Sequence, residues 1–272
     1  MRPPPAAPGR RGGPVSPFEI HGTTPARAGS IGPVLVSARS FAEYSAMFAL
    51  TEQDLTDLAA SRRRVLDCPG GAAGFTAGAA ARGVDATAVD PAYPGAEPDA
   101  ASRAAALAAL GAHAVQEAMR GNAFVRAHAH RYVWTWFPDP ADHLRQRVAA
   151  ARAFTADARA HPERYLPGAL PSLPFPDSSF DLVLSSHLLF TYADRLDEAF
   201  HLAALRELVR VAAGQVRVFP LLQHADGMRY PHLDRLLSAL AGSGIDAQVR
   251  STGGYELQRG GGELLVLARG GA

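Results

Sequence analysis

Lysine is absent from all 272 residues, so the strong cations are arginines alone. That absence excludes Schiff-base catalysis on a lysine amine and a phosphate loop built on a P-loop lysine. The single cysteine, Cys68, excludes an internal disulfide and a multi-cysteine zinc centre, and it suits a reducing compartment. No run of 18 apolar residues occurs, so no membrane-spanning helix is expected. Charge is sparse and balanced: 19% of residues are charged, with 27 basic against 26 acidic, for a net +1. Such a balance gives no electrostatic footprint for a general nucleic-acid binder. What is present is apolar: 47% of the chain, enough to build a core.

Residues 1–33 carry prolines at 3, 4, 5, 8, 14, 17, 25 and 33, with glycines between them. A segment of that composition buries too little to offset its ordering entropy and is expected to be a disordered tail. It lacks the apolar stretch of a signal peptide. Order is expected from about Ser40. Ser40-Phe-Ala-Glu43 reads as a capping box opening a short helix, and Thr51-Glu-Gln-Asp54 opens a second. The expected organisation is a tail over 1–33, N-terminal helices over 34–63, and one α/β domain over 64–269 with a helical insertion at about 99–163.

The strongest local signal is a βαβ unit. Arg64 to Cys68 is a short strand carrying an acid, Asp67, and Pro69-Gly70-Gly71 breaks it. Ala72 to Arg82 reads as a helix stopped by Gly83. Asp85 to Asp90 is a second strand, again ending in an acid. Glycines in the turn let the backbone approach a ligand, and a following helix N-terminus offers free N–H groups to it. An acid at the tip of the second strand can accept both hydroxyls of a ribose. Asp90 lies 19 positions after Gly71, about the offset such a site uses. A ribose-bearing cofactor follows from this pattern. Which one is left open by the turn: the dinucleotide template matches Gly71 and Gly74, whereas the S-adenosylmethionine template matches Gly71 alone.

The insertion reads as a helix from Ala100 to Met119, broken at Gly111, and another from Pro138 to Ala160. It is expected to form a lid or a substrate wall. Between the two, His128, His130, Tyr132, Trp134 and Trp136 alternate with period 2, as on an exposed strand face or in an irregular loop, with packing as their expected role. His-x-His can ligate metal, but no third ligand stands at a diagnostic spacing.

Further on, Leu173-Pro-Phe-Pro-Asp-Ser-Ser-Phe-Asp-Leu-Val-Leu-Ser-Ser186 gives a turn and a buried strand over Asp181 to Ser185. A helix over Leu196 to Val211, a strand over Gln215 to Phe219, a helix over Tyr230 to Ala241 and a strand over Ile245 to Ser251 follow. Tyr255 to Gln258 and Glu263 to Ala268 read as a hairpin across Arg259-Gly-Gly-Gly262.

With these residues in place, the sequence resembles class I S-adenosylmethionine-dependent methyltransferases over about residues 60–268. The resemblance rests on Val-Leu-Asp67 before a glycine turn, Val-Asp90 after the second strand, the Leu-Pro-Phe-Pro-Asp segment with its strand, and the helix ahead of Gly214. More narrowly it is similar to a bacterial subgroup marked here by Asp67-Cys-Pro-Gly-Gly, Val-Asp90-Pro-Ala-Tyr93, Ser-Ser-His187, Arg217-Val-Phe-Pro220 and Tyr255-Glu-Leu-Gln. The resemblance implies a Rossmann-like three-layer α/β/α sandwich, with a mostly parallel seven-stranded sheet and a C-terminal antiparallel hairpin. It implies S-adenosyl-L-methionine as cofactor. It places Asp67, Cys68, Pro69, Gly70, Gly71 and Ala72 around the methionine part, Asp90 on the ribose, Pro91 beside the adenine, and Ser185 and Ser186 near the sulfonium. Pro69 and Ala73 depart from the usual glycines of the turn.

His187, just past a parallel strand at the ligand edge, is the candidate general base. His201, His224 and His232 read as surface or packing residues. The expected function is methyl transfer to a small molecule, in the cytoplasm, without membrane, metal or nucleic acid. Two alternatives stand beside it: a nicotinamide-dinucleotide oxidoreductase, and a non-catalytic binding protein on a methyltransferase scaffold.

Overall fold

A computed structural model describes residues 35–95 and 99–271. The expected tail over 1–33 lies outside the described residues. Two short helices come first, α1 (Phe41–Met47) and α2 (Glu52–Ala60). Thr51 and Asp54 form a complete capping box on α2. On α1 only half of the expected box exists: the Ser40 hydroxyl accepts from the Glu43 N–H, 3.1 Å away. The Glu43 side chain turns inward to other partners, described below.

The sheet has seven strands: β1 (Arg64–Asp67), β2 (Asp85–Asp90), β3 (Tyr165–Pro167), β4 (Phe180–Ser186), β5 (Ala212–Phe219), β6 (Ile245–Ser251) and β7 (Glu263–Arg269). Their order is β3-β2-β1-β4-β5-β7-β6, with β7 antiparallel to both neighbours. Alternation along each strand supplies both faces. Leu66, Val183, Leu265 and Leu267 point into the core shared with α6 (Glu198–Val211) and α7 (Leu233–Ala241). Val65, Leu182, Leu184 and Val266 point the other way, against α1, α2 and α3 (Phe75–Ala80). The result is the three-layer Rossmann-like sandwich.

Three expectations are corrected. The C-terminal hairpin pairs β6 with β7, Ser251 opposite Glu263, and Tyr255 to Gln258 is the connection between them rather than a strand. The helix after the glycine turn begins at Phe75 rather than Ala72: the Ala73 N–H closes a turn onto the Gly70 carbonyl, and the first i to i−4 bond runs from the Gly78 N–H to the Gly74 carbonyl. The insertion's first helix, α4 (Ala100–Ala127), runs unbroken through Gly111. A Cβ there would lie 2.0 Å from the Thr155 hydroxyl, so the glycine permits close contact with α5 (Pro140–Ala160) and does not break α4.

Of the two readings of the alternating His/aromatic segment, the irregular loop is the one observed. Ala129–Arg131 is a single 3-10 turn, and only Tyr132 makes a β-bridge, to Gln258. Among the described residues no group of three metal-ligating side chains is found, there or elsewhere.

Candidate functional site

Parallel strands deliver their C-terminal ends to one edge of the sheet, and the expected site residues meet there. Asp67 ends β1 and Asp90 ends β2, both buried. Gly71, in the turn between, adopts φ +54°, a left-handed conformation suited to glycine. Ser185 and Ser186 end β4, and His187 follows it. Pro91 is exposed at the rim, whereas Cys68 is buried beneath the turn as a small hydrophobe.

The partners of these groups are the chain's own atoms. The Gly71 N–H donates to one Asp90 carboxylate oxygen and the Ala92 N–H to the other, both at 2.9 Å. The Tyr93 hydroxyl donates to the Gly71 carbonyl at 2.8 Å. Tyr93 fills the space beside the turn, stacked on Phe154, so that a Cβ on Gly70 would meet its hydroxyl at 2.5 Å. From the other side comes a strap, residues 35–39. Its Ser37 carbonyl accepts from the Ala72 N–H at 2.9 Å, and its Arg39 carbonyl from the Gly74 N–H at 2.8 Å.

Burial dominates the electrostatics of the two acids. It pushes the Asp67 carboxyl well above the usual carboxylate range, opposed by a hydrogen bond from the Tyr44 hydroxyl and raised further by Asp90. Asp90 is raised by burial and held back by its two N–H donors. One Asp67 oxygen and the Ser185 hydroxyl have no hydrogen-bond partner among the described residues.

Across the strap from the turn lies a cavity of about 130 Å³, lined by His187 but by none of Asp67 to Ala72, Asp90, Pro91, Ser185 or Ser186. The strap forms one wall, α4 and α5 a second, and the segments after β4 and β5 a third. His187 belongs to it. Its backbone has φ +51°, strained for a non-glycine residue, and its N–H donates to the Phe219 carbonyl at 2.8 Å. Its Nδ1 lies 2.8 Å from the Ser186 hydroxyl. Burial, reinforced by Arg39, Arg147 and His224, pushes the imidazole well below its ordinary range, so it is neutral at pH 7.

Sequence reasoning passed over the charged cluster under this cavity. Arg147 of α5 donates from both terminal nitrogens to Glu43 of α1, one bond at 2.7 Å and the other shorter. The Tyr255 hydroxyl donates to the same carboxylate at 2.7 Å. Burial opposes the charge on Glu43, yet Arg147, Arg39 and Tyr255 together hold its pKa below the usual range. Arg39 reaches Glu43 only at 3.9 Å. His224, read from sequence as packing or surface, also lines the cavity.

A family model described as a methyltransferase domain matches residues 142–218, from α5 to the end of β5. Over that segment the chain is similar to a methyltransferase domain. S-adenosylmethionine is the methyl donor that the sequence resemblance implies. The chain is similar over 237 residues, at 25% identity, to an uncharacterised protein of Methanocaldococcus jannaschii, covering 85% of this chain and 94% of that one. Among solved structures it is similar to the mitomycin 7-O-methyltransferase MmcR, at 14% identity and TM-score 0.41, over 84% of this chain and 53% of that one. It therefore spans about half the length of MmcR. A second is the 1,6-didemethyltoxoflavin-N1-methyltransferase of Burkholderia thailandensis, at 16% identity and TM-score 0.37, over 84% of this chain and 78% of that one.

The residue types of the domain fit the donor: two strand-terminal acids flank a glycine turn, with an unpartnered carboxylate oxygen and hydroxyl beside it among the described residues. The N–H groups of the turn are engaged by the strap, and the Asp90 carboxylate by the turn itself.

Proposed function

We propose that the protein is an S-adenosylmethionine-dependent methyltransferase acting on a small molecule. The observation that carries this reading is the glycine turn between the buried acids Asp67 and Asp90, covered by a strap that also walls a cavity reaching His187. The donor supplies an electrophilic methyl group, so the protein has mainly to orient the acceptor and exclude water. In this reading Asp67, with Cys68, Pro69, Gly70, Gly71 and Ala72, holds the amino-acid end of the donor. Asp90 and Pro91 hold the nucleoside end, and Ser185 and Ser186 border the reacting centre. Binding requires the strap to release Ala72 and Gly74, and Asp90 to exchange the Gly71 N–H for the ligand.

His187 is the proposed proton acceptor. A neutral imidazole can take a proton, but burial near two guanidiniums makes it a weak base. It therefore suits an acceptor that needs little deprotonation. The α4–α5 pair serves as the acceptor's wall.

Isothermal titration with S-adenosylhomocysteine tests the reading. Saturable binding, lost in Asp90→Ala, supports it. Binding of NAD in its place would overturn it in favour of an oxidoreductase. The engagement of the turn by Ser37, Arg39 and Tyr93 favours one second reading, a binding protein that has given up the donor. Silence toward S-adenosylhomocysteine, with the cavity still taking small ligands, would establish that one.

A further inference from the structure

The cavity holds more polar chemistry than its walls satisfy. Arg39 Nε, Thr191 Oγ1 and His224 Nε2 all belong to lining residues, are buried, and have no hydrogen-bond partner among the described residues. Each unmade bond on a buried polar atom costs about 1–3 kcal/mol, so three at one cavity mark a place completed by something else.

The charges point the same way. Arg147 is neutralised by Glu43 through two hydrogen bonds. Arg39 shares that carboxylate only at 3.9 Å, and its Nη1 donates to the Ser37 hydroxyl at 2.8 Å. Two guanidiniums against one carboxylate leave one positive charge largely out of water. Glu117, also on the lining, is paired with Arg120 at 2.6 Å. His143 and His224 add no charge, since burial and neighbouring arginines lower them to about 3 and about 4. Asn122 and Gln258 add polar groups, and Val125, Tyr132, Phe219 and Leu257 form an apolar part of the wall.

We propose that this cavity is a binding site for a small organic acid, its carboxylate paired with Arg39 and its apolar body against Phe219, Val125 and Leu257. Thr191 and His224 supply further polar contacts to the bound molecule. A carboxylate supplies the charge that Arg39 lacks, and a guanidinium is the side chain suited to it. That the bound acid is also the methyl acceptor rests on the function proposed above. The binding itself does not, and its test requires no methyl donor.

The test compares benzoate, cinnamate and hexanoate with benzamide, cinnamamide and hexanamide on the full chain, by isothermal titration and thermal shift. The expected result is saturable binding of at least one acid, tenfold or more tighter than its own amide. Arg39→Gln should abolish that preference while leaving amide binding unchanged. Equal affinity for acid and amide overturns the proposal, as does absence of binding by all three acids up to 10 mM, or an acid preference that survives Arg39→Gln. The acid–amide comparison on the unmodified chain decides the matter if the variant does not fold. Acid binding without any response to S-adenosylhomocysteine would confirm the site and refute the methyltransferase reading separately.

Discussion

The carbonyl oxygen of Ser37 accepts the N–H of Ala72 across the glycine turn, at 2.9 Å, and a Cβ on Gly71 would lie 2.7 Å from that same oxygen. Two segments far apart in function are thereby joined. The strap that walls the cavity also covers the backbone donors of the turn. Arg39 belongs to both, with its carbonyl on Gly74 and its guanidinium at the cavity. What occupies one site therefore bears on the other.

The strap contact can be locked. A Ser37→Cys/Ala72→Cys pair in a Cys68→Ser background, once oxidised, should lower S-adenosylhomocysteine affinity at least tenfold, and dithiothreitol should restore it. Titration calorimetry before and after reduction reads the effect. Unchanged affinity in the oxidised form would mean that the strap and the donor do not compete.

Tyr93 opposes stability to binding. Tyr93→Ala removes a buried ring stacked on Phe154 and bonded to Gly71, and should cost about 3–5 kcal/mol in urea unfolding. The same change clears the space beside Gly70, so affinity for S-adenosylhomocysteine should rise. Tyr93→Phe keeps the ring and loses one hydrogen bond, for about 1 kcal/mol.

Breaking the Glu43 cluster should be severe. Glu43→Gln leaves Arg147 buried without its carboxylate, a loss of about 3–5 kcal/mol in chemical denaturation. A double change, Glu43→Leu with Arg147→Met, should recover much of it, because removing both charges also removes their desolvation.

The buried acids and histidines predict opposite slopes of stability with pH. Asp67 has a raised folded pKa, so the folded state retains its proton longer than the unfolded chain. Its contribution is complete below the ordinary carboxylate pKa and falls as pH rises through the folded one. Asp67→Asn should flatten that decline in a series of melting curves. His224, lowered to about 4, protonates in the unfolded chain first, so its contribution is intact above about 6.5 and is lost as pH falls toward 4. His224→Gln should reduce the slope in that window.

Gly111 offers a packing test. Gly111→Ala gains about 1 kcal/mol of helix propensity, yet its methyl meets the Thr155 hydroxyl at 2.0 Å. The net effect should be a lower melting temperature. Adding Thr155→Ala removes the clash and should restore or exceed the original value.

Much of the fold was legible where the signal is local. β2 spans Asp85–Asp90 and β6 Ile245–Ser251, as their patterns predict, because short apolar runs between breakers leave little choice. The caps at Ser40 and Thr51 act within three residues and were equally readable. The misreadings share one cause, a distant partner overriding a local cue. Gly111 looked like a helix breaker until α5 lay against it, and Tyr255 to Gln258 looked like a strand although β6, not that segment, pairs with β7. At the site, Asp67, Asp90 and His187 stand at the strand ends expected of them. Arg39 and Arg147 carried no sign, since an arginine before a cap or inside an amphipathic helix is usually a solvated one.

The sequence by itself determined the alternation of strands and helices, the acids at two strand tips and the glycine between them. These follow from periodicity and from backbone geometry within a few residues. Only the tertiary structure decided what the acids and the turn bond to, because Arg147 and Glu43 lie 104 positions apart, and Tyr255 and Glu43 lie 212 apart. Pairings over such distances are set by how layers pack, and no period in the chain encodes them.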